Sequence, residues 1–296
     1  MKMLKSYDTD RRYFRAELAD MSQETFCRLS AFIREKYGIN ITPTKKIMLE
    51  GRLRKRLRQL GMSSFHEYCD FLFNEEGAEN ESKYMIDEVT TNKTDFFREL
   101  NHFTFLVQNV VPELMSTKGC SLSGKLTVWS AGCSTGEEPY TIAMVLHDLM
   151  KRLGTESYSF QIIATDISKK VLKKAQIAVY EEERTAAIPY EFKKKYLLRS
   201  KDSRNLSVRI VPELRKLVKF QRLNFMDSTF VFREALDIIF CRNVIIYFDK
   251  ETQKKLLNKF YSALKKGGYI FMGHSEALLG MGVPFIQVVP TVYKKV

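Results

Sequence analysis

The chain has 296 residues, 45% of them hydrophobic, which is enough for one large domain or for a large and a small one. The sequence contains neither the roughly 18 consecutive apolar residues of a membrane span nor the apolar core of a secretory signal, so we expect no membrane insertion and a cytoplasmic protein. Its five cysteines are scattered without a C-x-x-C pair, which argues against a disulfide framework and structural zinc. The formal net charge of +13 indicates an acidic partner: nucleic acid, an anionic membrane or an acidic protein surface.

The first part of the chain is predicted to be helical. Residues 1–20 are polar and charged and are expected to form a loose leader, and residues 21–80 are expected to form a small helical domain. Ser22 can cap a first helix that ends at Gly38. A second helix occupies residues 43–60, and a third follows before the polar stretch that we take as the domain boundary.

The second helix combines a buried stripe with an excess of positive charge. Four leucines at helical spacing form the stripe: Leu49, Leu53, Leu57 and Leu60. The other faces carry seven bases against one acid, Glu50; the bases are Lys45, Lys46, Arg52, Arg54, Lys55, Arg56 and Arg58. A run of charge is usually a solvated face, but seven bases exceed what solubility needs. We therefore interpret Lys45–Arg58 as a docking surface for an anionic partner.

A polar cluster precedes the predicted second domain, residues 81–296. Asn92 and Thr94 lie just before a Phe-Phe pair and Arg98 in the stretch TTNKTDFFRE. A helix cap followed by an aromatic anchor would explain either of the first two residues, but not the whole cluster.

The stretch LTVWSAGCSTGEEPY, residues 126–140, predicts the first unit of a nucleotide-binding α/β fold. An apolar run typical of a buried parallel strand breaks at Gly132 and Gly136, and an apolar helical pattern follows. Pro139 lies near the start of that helix, where its missing N–H costs little. The glycine spacing does not match the G-x-G-x-x-G of dinucleotide sites.

Two acids stand where a dinucleotide enzyme places pyrophosphate against a helix N-terminus. Glu137 and Glu138 would repel phosphate there, which disfavours NAD, FAD and ATP. A ligand with an adenosine end, a positive centre and no phosphate fits better, and S-adenosylmethionine is such a ligand. The alternative is that both glutamates only complement the helix dipole.

Later strands end in polar residues that belong to the same predicted ligand edge. The strand FQIIATD ends in Asp166, an acid suited to accept hydrogen bonds from ribose hydroxyls. Another leads to Asn224 and Phe225, and the buried run LDIIFCRNVIIYF passes through Arg242-Asn243 to Tyr247. Open α/β sheets bind ligands at the carboxyl ends of their strands.

The chain is predicted to end with an amphipathic helix over 251–264, stopped by Gly267-Gly268, a strand over 269–274 and a terminal antiparallel strand over 285–293. His274 has no second histidine or cysteine at ligand spacing, so we expect no metal site.

Five stretches together resemble the chemotaxis receptor methyltransferases, the CheR family, over about residues 20–296: TNKTDFFRE, SAGCSTGEEPY, ATDIS, FCRNVIIYF and LKKGGYIFMGHSE. The resemblance implies a Rossmann-like α/β methyltransferase domain, a small all-helical N-terminal domain and a short antiparallel β insert, here at about 190–220. It implies methyl transfer from S-adenosylmethionine to glutamate side chains on the cytoplasmic helices of chemoreceptors, with S-adenosylhomocysteine as the product. We further expect a monomer that binds its receptor through the basic helix.

The resemblance also implies roles for individual residues. Cofactor contacts fall to nine positions: Asn92, Thr94, Arg98, Glu137, Asp166, Asn224, Phe225, Arg242 and Asn243. Arg98 and Tyr247 are expected near the reacting carboxylate. Members that tether to a receptor's C-terminal peptide have a glycine-rich loop in the insert, whereas Ser200–Ser207 contains no glycine, which argues against tethering.

Two other functions would also suit parts of the sequence. A nucleic-acid methyltransferase would suit the positive charge, but the chain lacks the Asn/Asp-Pro-Pro-aromatic run of amino-methylating enzymes. The only tryptophan, Trp129, is also predicted to be buried and offers no stacking platform. A degenerate domain used as a basic binding module is the non-enzymatic alternative, and the intact polar set argues against it.

Overall fold

The computed structural model describes residues 20–74, 77, 79–116, 125–154, 159–202, 204, 206–278 and 280–296. Contacts divide the described chain into two compact units, one made of residues 20–35 and 41–89 and the other of 36–40 and 90–296. The predicted leader lies outside the described residues except for Asp20. The helical unit extends to Val89, nine residues beyond the predicted boundary at 80.

Four helices make up the described part of the helical unit: α1 (Gln23–Tyr37, whose last two residues belong to the second unit), α2 (Lys46–Leu60), α3 (Phe65–Phe73) and α4 (Glu81–Val89). The predicted caps are present, because the Ser22 hydroxyl accepts the Thr25 N–H at 3.0 Å. Gly61 ends α2 in the left-handed conformation, which glycine adopts without strain.

The α2 leucine stripe forms the core of this unit, with one correction. Leu49, Leu53 and Leu57 are fully buried, whereas Leu60 is partly exposed because it lies in the last turn, beside Gly61. Beneath the stripe, buried Glu81 accepts two hydrogen bonds from Arg56, at 2.6 and 2.9 Å, and one from the Tyr68 hydroxyl at 3.0 Å. This network links α2, α3 and α4.

The second unit is built on a seven-stranded sheet in the order β6-β2-β1-β7-β8-β10-β9. Its strands are β1 (Lys125–Ala131), β2 (Ser159–Asp166), β6 (Val218–Arg222), β7 (Leu236–Cys241), β8 (Leu264–Met272), β9 (Phe285–Val289) and β10 (Val292–Lys295). The pairs among β6, β2, β1, β7 and β8 are parallel, and β10 is antiparallel to both of its neighbours. The chain end is thus a hairpin of two strands rather than the single predicted strand.

The described helices of this unit are α5 (Leu100–Phe105), α6 (Val111–Ser116), α7 (Glu137–Leu153), α8 (Lys169–Ile177), α9 (Tyr190–Tyr196), α10 (Pro212–Leu217) and α11 (Lys250–Ala263). A π-helical turn, Leu106–Val110, joins α5 to α6. Two apolar clusters cover the sheet, one around Ile142 and Phe240, the other around Trp129 and Phe260. Helix α11 ends at Ala263, so Gly267-Gly268 lies within β8 rather than at the helix end.

The parallel register brings several strand ends to one edge of the sheet. Ala131 pairs with Thr165, Ser130 with Phe240, and Asp166 with Arg222. The residues that follow β1, β2, β6 and β7 therefore meet at the carboxyl edge, where the order of the strands reverses between β1 and β7.

The insert forms a separate three-stranded antiparallel sheet: β3 (Val179–Glu181), β5 (Ser207–Ile210) and β4 (Leu197–Arg199). Its limits differ from the predicted 190–220. The sheet begins at Val179, and Val218–Arg222 is the edge strand of the large sheet, because its backbone pairs in parallel with β2 along its whole length. Two residues of the loop 200–207, Ser203 and Asn205, lie outside the described residues.

We predict that Glu81→Ala lowers the free energy of unfolding of the helical unit by about 3–5 kcal/mol, because it leaves the mostly buried Arg56 guanidinium without its carboxylate. Urea denaturation followed by circular dichroism measures this. Glu251→Ala removes an exposed helical pair with Lys255 and serves as the control, for which we expect no measurable change. Equal stability of the two variants would contradict the proposed importance of the buried network.

Candidate functional site

The glycine turn after β1 is shaped by packing against its neighbours. The N–H groups of Gly132 and Cys133 both donate to the Thr165 carbonyl, at 2.8 and 2.9 Å. Gly132 has φ +84°, and a Cβ there would lie 2.5 Å from Val244 Cγ2. At Gly136, with φ +97°, a Cβ would lie 2.9 Å from the Tyr180 hydroxyl. Close approach of protein groups thus accounts for both glycines, in agreement with the absence of a dinucleotide motif.

Asp166 lies at the end of β2 and is almost fully buried. Its two carboxylate oxygens accept the N–H groups of Ser134 and Ser168, each at 2.9 Å. The Ser134 hydroxyl donates to the Asn92 carbonyl at 2.8 Å, and the Leu223 N–H donates to the Asp166 carbonyl at 3.1 Å. The acid therefore joins the glycine turn, the segment at Asn92 and the end of β6.

Glu137 is fully buried at the start of α7. It accepts the Thr135 hydroxyl at 2.6 Å and the Arg184 guanidinium at 2.6 Å. Burial raises the pKa of the Glu137 carboxyl, and Thr135 and Arg184 lower it in part. Arg184 also donates to the Thr94 carbonyl at 3.0 Å.

Arg184 was missed by sequence reasoning. It comes from the insert and contacts two residues of the predicted cofactor set, Thr94 and Glu137. Its only local signal is a single base at the end of the acidic run EEER, residues 181–184, which is also typical of a solvated surface.

Glu138 has a different partner from its neighbour. It accepts the Ser130 hydroxyl at 2.7 Å and the Arg242 Nε–H at 2.8 Å. The Arg242 side chain is 2% exposed, and its Nη1 donates to the Arg98 carbonyl at 2.7 Å. Glu138 therefore does more than complement the helix dipole, because it pairs with a buried cation that links β7 to the segment at Arg98.

His102 completes this buried cluster as a neutral ring. Burial, Arg242 and His274 lower its pKa to about 3. Its Nδ1 accepts from Arg242 at 3.1 Å, so the proton lies on Nε2, 2.7 Å from the Thr291 hydroxyl. Neutral His102 thus avoids placing a second positive charge beside Arg242.

The turn after β7 carries Asn243 and Tyr247. Asn243 has φ +58°, and its Oδ1 is buried without a hydrogen-bond partner among the described residues. Tyr247 ends a 3-10 turn, Ile245–Tyr247. The Arg98 guanidinium donates to the Lys93 carbonyl at 3.3 Å, and its pairing with Tyr247 stays a prediction.

Asn224 and Phe225 reach the same edge from β6, but their side chains are used within the protein. Asn224 Nδ2 donates to the Lys36 carbonyl at 2.8 Å, and its Oδ1 accepts the Met226 N–H at 3.1 Å. The Phe225 ring packs edge-on against Trp129, which is fully buried as predicted.

Backbone strain is concentrated at this edge. Six non-glycine residues of the described chain have positive φ, and four of them lie in the three segments that meet here: Phe97, Glu99, Ser134 and Asn243. Such conformations persist where surrounding contacts enforce them, often at functional sites. The structure thus brings Asn92, Thr94, Glu137, Asp166 and Asn243 to one edge, and their individual roles stay predictions.

The reversed strand order and the acid that ends β2 define a Rossmann-like α/β domain with its ligand edge at the carboxyl ends of the strands. Residues 92–293 match the family model described as "CheR methyltransferase, SAM binding domain", and residues 24–90 match "CheR methyltransferase, all-alpha domain". The chain belongs to the CheR methyltransferase family, and S-adenosylmethionine is its cofactor. The predicted fold class and family are confirmed.

Relatives resemble the chain over nearly all of its length. It is 40% identical to the chemotaxis protein methyltransferase of Borreliella burgdorferi over 93% of this chain and 95% of that protein. The protein of the same description from Klebsiella aerogenes is 37% identical over 94% of this chain and 91% of its own. That from Escherichia coli K12 is 37% identical over 86% of this chain and 85% of its own.

Membrane-spanning helices and metal-binding clusters are absent from the residues that the structure describes. None of their helices has the length and apolar character needed to cross a membrane. No group of three or more His, Cys, Asp or Glu residues there could hold a metal ion, and the expectation of no metal site stays a prediction.

We predict that Arg184→Ala raises the pKa of the Glu137 carboxyl further, because the nearby positive charge that favours ionisation is lost. A carbon-13 NMR titration of the side-chain carboxyls measures this shift. A raised folded pKa stabilises the fold below the unfolded pKa, and this contribution is lost as pH rises through the folded pKa. The variant should therefore extend that loss to higher pH.

Arg199→Ala is the matched control for this titration, because Arg199 pairs with Glu182 on the exposed surface of the same insert. It should leave the Glu137 titration unchanged. An identical Glu137 pKa in wild type and Arg184→Ala would contradict the electrostatic coupling.

Proposed function

We propose that this methyltransferase transfers the methyl group of S-adenosylmethionine to glutamate side chains on the cytoplasmic helices of chemoreceptors, in chemotaxis adaptation. The observation that carries the proposal is the match of both domains to one family, together with 40% identity to a chemotaxis protein methyltransferase over 93% of the chain. A receptor's cytoplasmic helices lie in the cytoplasm, so the proposal implies a cytoplasmic location for this protein. We also propose that it acts as a monomer.

The residues at the carboxyl edge fit this cofactor. Asp166 places a buried carboxylate at the end of β2, where an acid suits ribose hydroxyls as a hydrogen-bond acceptor. Buried Glu137 offers negative charge to a cationic ligand end, and Asn243 Oδ1 is an acceptor without a described partner. We assign Asn92, Thr94, Arg98, Asn224, Phe225 and Arg242 to the walls of the same site. When bound, the cofactor supplies an activated methyl group on a sulfonium.

The protein's own contribution to the chemistry is placement. A glutamate with a pKa near 4.3 is already an anion at neutral pH, so no general base is needed. Neutral His102 is committed to Arg242 and Thr291 and is not available as a base. Arg98 and Tyr247 would orient one oxygen of the acceptor carboxylate and leave the other free, which keeps the reactants in an attack geometry.

The function is tested by incubating the protein with methyl-labelled cofactor and host membranes that contain chemoreceptors. We expect label on the receptor that mild base releases as methanol, which is diagnostic of a glutamyl ester. Arg98→Ala should lower turnover at least about tenfold, equivalent to about 1.4 kcal/mol of barrier, because the acceptor loses its orienting cation.

Arg233→Ala replaces an exposed arginine and provides the control, with turnover expected to match wild type. Base-stable label on nucleic acid would instead support the alternative methyltransferase. Label on the receptor with unchanged turnover in Arg98→Ala would remove the proposed role of Arg98 alone.

Fewer bases of α2 are available to a docking partner than the sequence suggests. Four of the seven bases are engaged within the helical unit: Arg52 with the Val89 carbonyl, Arg54 with Asp20 and Glu50, Lys55 with Glu88, and Arg56 with Glu81. Lys45, Lys46 and Arg58 form no ion pair with a described residue. Part of the positive charge therefore holds the helical unit together.

What α2 presents outward is one stripe, here named the α2 outer face: Ile47, Met48, Gly51, Lys55 and Arg58. Gly51, Lys55 and Arg58 follow the adjacent pair Ile47 and Met48 at steps of three or four positions, and all five residues are exposed, Ile47 by 83%. A Cβ at Gly51 would meet nothing within 4 Å, so the described fold does not require this helical glycine. We propose that the glycine lets an acidic receptor helix approach closely, with Ile47 on one side of the contact and Arg58, a base that forms no ion pair with a described residue, on the other.

We predict opposite effects of Gly51→Ala on stability and on receptor recognition. Alanine should raise the free energy of unfolding by up to about 1 kcal/mol, because a helix-interior glycine is entropically costly. The same methyl group should raise the KM for receptor about tenfold, or about 1.4 kcal/mol, by blocking close approach. Urea denaturation and methylation kinetics with varied receptor measure the two effects.

Asn258→Ala, on the exposed surface of α11, is the control for helix propensity. It should stabilise its helix without changing the KM for receptor, and both variants should bind S-adenosylhomocysteine as wild type does. An unchanged KM in Gly51→Ala would exclude the α2 outer face as the point of closest contact.

A further inference from the structure

A buried carboxylate that is not among the predicted site residues accepts five backbone hydrogen bonds. Glu276 follows β8 and is 3% exposed. Its Oε1 accepts the N–H groups of Val244, Ile245 and Ile246 at 2.7, 2.9 and 3.4 Å. Its Oε2 accepts those of Asn243 and Gly273 at 2.7 and 2.8 Å.

No described lysine, arginine or histidine forms an ion pair with Glu276, so backbone dipoles alone stabilise its charge. Burial raises the pKa of this carboxyl above its ordinary value, and the backbone N–H groups offset part of that rise. Only the ionised form offers acceptors to every one of these donors, since a protonated oxygen would direct an O–H at an N–H.

Four of the donors are consecutive and belong to the turn that carries Asn243 and Tyr247. The N–H groups at the start of a 3-10 turn have no partner within it, and here one distant side chain satisfies them. The left-handed φ of Asn243 and its unpartnered Oδ1 both lie in the segment that the carboxylate holds.

The space between Gly273, Glu276 Oε2 and Asn243 is tightly filled. A Cβ at Gly273 would lie 2.8 Å from Glu276 Oε2 and 2.8 Å from Asn243 Nδ2. The glycine is therefore required for the carboxylate and the asparagine to lie side by side.

We propose that Glu276 is a positioning residue of the methyltransferase, which fixes the turn after β7 so that Asn243 and Tyr247 face the cofactor and the acceptor. The assignment rests on the proposed roles of those two residues. Glu276 itself does not contact the reacting groups, because it acts through the backbone of the turn.

The test compares Glu276→Gln with wild type by calorimetric binding of S-adenosylhomocysteine and by methylation kinetics. The amide presents an N–H₂ group to the turn where an acceptor oxygen was, so we expect the Kd for S-adenosylhomocysteine and the KM for S-adenosylmethionine to rise at least about tenfold. The KM for receptor should stay within twofold, since the α2 outer face is untouched. If Glu276→Gln only reduced the amount of folded protein, the apparent turnover would fall, but the KM for S-adenosylmethionine and the KM for receptor would both stay unchanged.

Glu113→Gln is the matched control, since Glu113 accepts a hydrogen bond from Tyr269 and pairs with Lys294. It should leave both KM values unchanged. Gly273→Ala is the second variant in case Glu276→Gln does not fold, because it disturbs the same contact without removing the charge, and it should raise the same Kd.

The outcomes separate this inference from the proposed function. Wild-type affinity for S-adenosylhomocysteine in a folded Glu276→Gln, or in Gly273→Ala, overturns the positioning role while leaving the function intact. An equal loss of affinity in Glu113→Gln also overturns it. A loss of affinity confined to the Glu276 and Gly273 variants supports the positioning role. If the wild-type enzyme also esterifies no receptor glutamate, the proposed substrate is refuted while the positioning role stands.

Discussion

The carboxyl edge of the sheet depends on one buried ion pair. Arg242 leaves the end of the central strand and meets Glu138 at 2.8 Å, while the same guanidinium reaches the Arg98 carbonyl at 2.7 Å. Burying two charges is costly unless both are paired and hydrogen-bonded, and removal of either partner leaves the other unsatisfied. The pair therefore couples β7, the start of α7 and the segment at Arg98. Neutral His102 belongs to the same arrangement, since a protonated ring there would compete with Arg242 for the acids.

Residues whose role follows from local pattern were predictable. The strand, glycine turn and helix around Gly132, the acid ending β2 and the buried Trp129 all followed from apolar periodicity and turn chemistry. The contacts of Arg184 and Glu276 did not, because each depends on a residue more than 30 positions away or on another segment's backbone. A glutamate that accepts backbone N–H groups has the same local sequence as a solvated one. The predicted limits of the insert, 190–220, were wrong for a related reason. Val218–Arg222 pairs with the large sheet, and hydrophobic periodicity does not encode which sheet a strand joins.

The net charge of +13 is a poor guide to where a partner binds. On α2 the sequence shows seven bases, but Arg54 and Arg56 hold the helical unit together through Glu50 and Glu81. Charge that is paired inside a fold contributes little field outside it. Gly51 is more informative, because a helix-interior glycine costs stability and the described fold gives no packing reason for it. The docking role proposed for α2 therefore rests more on Gly51 and the exposed Ile47 beside it than on the arginines.

The glutamate acceptor proposed above is already ionised, which changes what the enzyme must provide. Because a glutamate carboxylate needs no proton removed, neither a triad nor a metal is required, and the work falls on holding the carboxylate in line with the methyl group. In the roles proposed for Asn243 and Tyr247, placement depends on the backbone of their turn, which is strained at Asn243. A strained turn keeps its shape only if its N–H groups are held from outside, and Glu276 accepts them at 2.7–3.4 Å. In this active site the buried carboxylates thus serve geometry more than acid–base chemistry.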